Sequence, residues 1–198
     1  MLVFSFMADT HFKNIVLFAS GSGSNAQRIF EYFENHPNIR VVALFSNNPE
    51  AYALRRAENF NVPAITFTRA EFKDGTVLEK VKKYNPDLIV LAGFLWLMPE
   101  GFVKEYHNKI INIHPALLPK FGGKGMYGHH VHAAVVAAQE AESGITIHYV
   151  NEKFDEGEAI LQERCPVRPG DTPEEVAARV LELEHKHFAP TIEKLLNG

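Results

Sequence analysis

The chain has 198 residues, of which 46% are apolar and 22% charged, and a formal net charge of −4. That is the make-up of one ordinary globular domain, long enough to bury a core without staples. Lys and Arg are scattered, which speaks against a nucleic-acid face. No apolar run approaches the roughly 20 residues that cross a bilayer, and the single cysteine, Cys165, excludes an internal disulfide and fits a reducing, cytoplasmic setting.

Met1 to Lys13 opens on an apolar patch, Leu2 to Met7, that lacks a basic start and is cut by Asp9. It reads as an extension rather than a secretory signal, ahead of a single domain over residues 14–198. Ile15 to Ala19 is a strand-like run, followed by a Gly/Ser turn and a helical stretch from about Asn25 to Glu34. Strands are expected at Val41 to Phe45, Ala64 to Phe67, Leu88 to Ala92 and Ile110 to Ile113, with helices at Tyr52 to Asn59, Asp74 to Tyr84 and Pro99 to Tyr106. The unbroken Leu-Ile-Val-Leu-Ala run at 88–92 suits a strand buried on both faces. This βαβα rhythm predicts an α/β, Rossmann-like fold: a mostly parallel central sheet flanked by helices.

The pattern changes after Gly128. A helix near His130 to Ala138 precedes two strands, Ile145 to Val150 and Ala159 to Val167, whose short connection predicts a C-terminal antiparallel hairpin. The last helix starts clearly, with Thr172 as N-cap, Pro173 at its first position and Glu175 completing a capping box. Val176, Val180, Leu183 and His187 follow at helical spacing, and Pro190 is expected to kink or end the helix.

Five constellations bear on chemistry. Ile110-Ile111-Asn112-Ile113-His114-Pro115 ends a buried strand in two polar side chains on one face, an amide and an imidazole that could bind and protonate an oxyanion. A hydrogen-bonded core Asn beside an incidental His fits the same pattern equally well. Ala19-Ser20-Gly21-Ser22-Gly23-Ser24-Asn25-Ala26, between strand and helix, suits a phosphate held by backbone amides. Its spacing also fits the dinucleotide fingerprint. The second strand, however, ends in Ser46-Asn47-Asn48 with no carboxylate for a ribose, which favours a phosphomonoester over NAD; a ligand-free glycine turn is the plain alternative. Asp155, in the Phe154-Asp155-Glu156-Gly157 loop, would favour an imidazolium if it reached His114, although such a loop is ordinary turn chemistry too. Leu95-Trp96-Leu97-Met98 is core packing by periodicity, or the wall of a pocket for a flat heterocycle. His129, His130 and His132, like His185 and His187, have no acidic or Cys partner beside them at metal-ligand spacing, so no metal is expected.

Taken together, these stretches resemble the phosphoribosylglycinamide formyltransferase family of folate-dependent enzymes, over nearly everything from Asn14 to Leu196. Asn-Ile-His-Pro-Ala-Leu-Leu-Pro at 112–119 looks like the formyltransferase signature, and Asp155 falls where the family has its catalytic aspartate. The resemblance implies Asn112, His114 and Asp155 as catalytic residues. It implies that Gly23, Ser24 and Asn25 bind the phosphate of glycinamide ribonucleotide, and that Glu184, four residues from Val180 and eight from Val176, grips its glycinamide end. Leu95, Trp96, Leu97 and Met98, with Asn112, Asn151 and Phe154, would bind 10-formyltetrahydrofolate, the cosubstrate, with no metal. The partners are then small molecules, with no membrane or nucleic acid, and the chain is a monomer or a homodimer.

The chain departs from the common pattern in three places. The loop Phe121 to Gly128 is longer, Trp96 stands where an arginine is frequent, and no arginine occurs around Glu71 to Gly75, where Lys73 is the substitute at hand. The rivals are a 10-formyltetrahydrofolate hydrolase or another formyltransferase of the same group, such as one acting on methionyl-tRNA, and a non-catalytic nucleotide-binding module. Thirteen residues before the domain are too few for a hydrolase's regulatory domain, no basic RNA-binding part is evident, and a binding module has no need of Asn112, His114 and Asp155 together.

Overall fold

The computed structural model describes residues 12–198. Most of the expected N-terminal extension therefore lies outside the described residues. In chain order the elements are β1 (Lys13–Phe18), α1 (Ser24–Phe33), β2 (Ile39–Ser46), α2 (Tyr52–Asn59), β3 (Ala64–Thr66), α3 (Arg69–Lys73), α4 (Thr76–Lys82), β4 (Leu88–Leu91), α5 (Glu100–Glu105), β5 (Ile110–His114), α6 (His129–Ala137), β6 (Glu142–Tyr149), β7 (Ala159–Pro166) and α7 (Pro173–Asn197).

The strands form one seven-stranded sheet in the order β3-β2-β1-β4-β5-β6-β7. β1 to β5 are parallel; β6 runs antiparallel to β5, and β7 to β6. The mostly parallel, Rossmann-like sheet and its C-terminal hairpin are thus as expected. β1 pairs with β2 on one side and β4 on the other, so the chain reverses its winding there. The loops that leave the carboxyl ends of β1 and β4 diverge from this switch point, the usual site of a crevice in open α/β sheets.

β1 is buried throughout its apolar run because both faces of the sheet are covered. Ile15 and Leu17 face the layer that includes α1, α2 and α7, while Val16 and Phe18 face the layer of α3, α4 and α5. On the second face Phe18 packs against Phe45, Phe67, Phe72, Phe94 and Phe102, with ring centroids 5.3–6.4 Å apart. This knot of rings anchors the loop after β4 through Phe94.

One helix was not foreseen, and one of the two outcomes expected of Pro190 does not occur. The helix expected over 74–84 is α4, within those bounds, and a further helix, α3, precedes it, set apart by Asp74 and by Gly75 at φ +91°. Thr68 caps α3 in a box with Glu71, the local signal that starts this helix. Pro190 does not end α7, which runs 25 residues to Asn197. The proline ring is exposed, whereas Phe188, Ala189 and Ile192 on either side of it are buried in the core, and this packing holds the helix across the missing N–H donor. The inward stripe of α7 is Val176, Val180, Glu184 and Phe188, so a carboxyl sits in line with three apolar residues.

Candidate active site

A cavity of about 890 Å³ opens at the carboxyl ends of β1, β4 and β5, large enough for two small molecules side by side. Its walls come from the β1–α1 loop, the β4–α5 loop, the end of β5, the residues before α6, the β6–β7 loop and α7.

The first wall is the glycine turn. Gly23 has φ +71°, and a Cβ there would lie 2.6 Å from Ala53 Cβ, so neither the backbone angle nor the space admits a side chain. Ala53 N–H donates to the Gly21 carbonyl (3.1 Å) and Arg56 Nε to that of Ser22 (2.9 Å), fixing the turn to α2. α1 starts at Ser24 without a side-chain cap, so its first amides have no capping side chain where Gly23, Ser24 and Asn25 line the cavity.

The second wall carries Asn112, His114 and Asp155, which the structure brings together. Cross-strand pairing sets Asn112 opposite His148 and His114 opposite Thr146. Asn112 Nδ2 donates to His148 Nε2 (3.1 Å), while His148 Nδ1 donates to the Tyr149 carbonyl (2.9 Å). One amide N–H is thereby spent in orienting Asn112, and the other is free for a ligand. Asp155 Oδ2 lies 3.5 Å from His114 Nδ1 and accepts the Gly123 N–H at 2.9 Å; its Oδ1 lies 3.6 Å from His148 Nε2. The backbone of Asp155 is left-handed (φ +56°), a conformation that aspartate tolerates better than most residues. Gly157 makes this approach possible, because a Cβ there would collide with the Tyr149 carbonyl oxygen at 1.6 Å.

The electrostatics pull His114 two ways. Its Nε2 donates to the Phe121 carbonyl (2.8 Å) and its Nδ1 faces Asp155, so the doubly protonated ring satisfies both acceptors. Burial works against that charge, as does nearby His148, and leaves the imidazole below its usual pKa in spite of Asp155. Burial also pushes the Asp155 carboxyl up, but the His148 contact, the His114 ring and the Gly123 amide together outweigh it and hold the carboxyl below its ordinary value. His148 is the site residue that the sequence reading missed. Its signal was the period-two placement of Thr146 and His148 on the strand that joins β5, visible only once that pairing is known.

Leu95, Trp96, Leu97 and Met98 all line the cavity, with Phe154 opposite. Trp96 packs on Phe67, Phe72 and Phe94, and the Arg69 guanidinium lies over its ring at 5.1 Å. Arg69, on α3, is thus a cation stacked on this wall from outside the lining, where exposed Lys73 also stands. Asn151 also stands outside it; its Oδ1 accepts the Lys153 N–H (2.9 Å) within the β6–β7 loop. The long 121–128 loop contributes Gly123 to Gly128 to the cavity wall, and His129 and Glu174 meet at 3.4 Å beyond it.

Glu184 projects from α7 to Asn25, whose Nδ2 donates to Oε2 at 2.7 Å. Burial pushes the Glu184 carboxyl up to about 7 against the lowering effect of that bond. Asn25 Oδ1 and His132 Nδ1 are buried in the cavity lining without hydrogen-bond partners among the described residues. Orphaned polar atoms in a roomy, largely apolar cavity are what a bound ligand would satisfy. Among the described residues no group of three or more His, Cys, Asp or Glu is arranged to hold a metal ion, and no helix is long and apolar enough to cross a membrane.

Comparison with known proteins adds the family. Residues 13–192 match the formyl transferase family model. A chloroplastic phosphoribosylglycinamide formyltransferase of Arabidopsis thaliana is 40% identical over 187 residues, which are 91% of this chain and 64% of that protein; the chain thus spans less than two thirds of its length. The phosphoribosylglycinamide formyltransferase of Escherichia coli (strain K12) is 35% identical over 191 residues, 93% of this chain and 88% of that protein. The crystal structure of glycinamide ribonucleotide transformylase 1 from Geobacillus kaustophilus superposes with a TM-score of 0.85 at 33% identity, covering 94% of this chain and all (100%) of that one. With the family model matched over nearly its whole described length, the chain belongs to the formyl transferase family.

Proposed function

We propose that the protein transfers the formyl group of 10-formyltetrahydrofolate to the primary amine of 5'-phosphoribosylglycinamide, giving the N-formyl ribonucleotide and tetrahydrofolate in purine biosynthesis. The observation that carries this reading is the meeting of Asn112, His114 and Asp155 in the same cavity as the uncapped glycine turn. Family membership and the names of the relatives support it.

On this reading the amides of Gly23, Ser24 and Asn25 hold the phosphate, and Glu184 accepts from the glycinamide end. Leu95, Trp96, Leu97, Met98 and Phe154 sandwich the pterin, while Arg69 offers a positive charge to the acidic tail. The folate supplies the formyl carbon. As the amine nitrogen bonds to that carbon, negative charge gathers on the formyl oxygen. Asn112 donates its free N–H to this oxygen, and His114, exchanging one of its protein acceptors for the ligand, adds a charged donor or a proton. Asp155 stabilises the imidazolium and takes the amine proton through a water, and that proton is passed on to N10 as the bond from N10 to the formyl carbon breaks. His148 keeps the Asn112 amide turned toward the reacting carbon.

Every group invoked belongs to a single chain, so monomer and homodimer serve equally well, and neither nucleic acid nor membrane is required. A cytoplasmic location goes with the lone free cysteine. The test is to follow 10-formyltetrahydrofolate with and without glycinamide ribonucleotide. The reading predicts consumption only with the ribonucleotide present, with the formyl carbon recovered on it. Consumption at the same rate without it would make the protein a hydrolase, and no consumption would leave a binding module.

A further inference from the structure

Ser20 stands at the foot of the glycine turn, only 7% exposed and behind the cavity rather than in its lining. Its N–H donates to the Gly93 carbonyl (3.0 Å), and its own carbonyl accepts from Asn48 Nδ2 (3.3 Å). Its hydroxyl donates to Asn47 Oδ1 (2.7 Å) and accepts the Leu95 N–H (3.1 Å). Among the described residues this last bond is the one hydrogen bond that reaches the main chain of residues 94–98.

Packing supplies the rest of this segment's anchorage, including the Trp96 ring on Phe67, Phe72 and Phe94. Phe94 and Met98 are anchored in the core, but between them Leu95 and Leu97 are 48% and 39% exposed. Gly93, at φ +77°, starts the loop in a conformation that a side chain would strain. We infer that the Ser20 hydroxyl is a positioning group that reaches from the phosphate side of the cleft to set the folate-facing wall. This inference rests on the function proposed above. Asn47, on the segment after β2, aims the hydroxyl: with its proton committed to Oδ1, a lone pair is left toward Leu95. The glycine turn keeps its own ties to Ala53 and Arg56 whether or not this hydroxyl is present, so its removal spares the ribonucleotide side.

Steady-state kinetics of Ser20→Ala, with each substrate varied in turn, tests this. The KM for 10-formyltetrahydrofolate is expected to rise roughly five- to thirty-fold, the loss of one buried hydrogen bond. The KM for the ribonucleotide should stay within about twofold, since additive sites without shared partners move independently. Equal rises in both KM values, or no rise in either, would overturn the role given to Ser20. A wild-type chain without formyl transfer would sink the functional reading itself, and this role with it. Should Ser20→Ala not fold, Asn47→Ala carries the same test: it frees the hydroxyl to turn away, and an unchanged folate KM would again be the contradicting result.

Discussion

His114 stands between opposing forces, and that balance sets the pH behaviour of the site. Burial and His148 lower its pKa, while the Asp155 carboxylate and the Phe121 carbonyl raise it. If the protonated ring serves catalysis, turnover falls as pH rises through this pKa. Removing the Asp155 charge in Asp155→Asn takes away the leading raising influence, so the falling limb of the pH–rate profile should move to lower pH, with lower activity at neutrality. An unmoved limb would count against the pairing. Asn112 and His114 were legible in the sequence because strand alternation alone puts them on one face. Their surroundings were not. The contribution of His148 depends on which strand lies beside β5, and the net direction of the His114 shift depends on burial, a property of the folded whole.

At the scale of elements, the cradle depends on a turn and a helix that cannot separate. Gly23 lies in left-handed space with its missing Cβ pressed against Ala53 of α2. Gly23→Ala should cost about 1–2 kcal/mol in backbone conformation alone, and the clash with Ala53 should push the turn away from α2. Chemical denaturation is expected to show that loss together with a weaker affinity for the phosphate-bearing substrate; unchanged affinity would mean that the turn does not hold the phosphate. Most elements were legible from periodicity, including the capping box that starts α7. The exceptions have local causes: the Thr68 capping box starts α3, a helix that was not expected, and core packing at Phe188 and Ile192 carries α7 past Pro190. This extra helix matters for the site, because its first residue, Arg69, lies over Trp96, whereas Lys73 was the substitute at hand in the sequence.

Across the whole molecule, one sheet reversal gathers the site. β1 and β4 lie side by side at the switch point, β5 follows, and the antiparallel hairpin folds its loop back over the end of β5, so that residues about 40 positions apart, His114 and Asp155, come within 3.5 Å. The βαβα rhythm predicted the parallel part of this arrangement, but the pairing of β6 with β5, on which the site depends, could be read only from the fold. The central claim is that one cavity binds the ribonucleotide on the glycine turn and performs formyl transfer at Asn112, His114 and Asp155. Its most direct test is His114→Ala, with turnover and ribonucleotide affinity measured on the same preparation. Turnover should fall by about 10²–10³, the usual effect of losing one such donor, while the affinity for glycinamide ribonucleotide stays near that of the wild type. Formyl transfer at the wild-type rate would contradict the account.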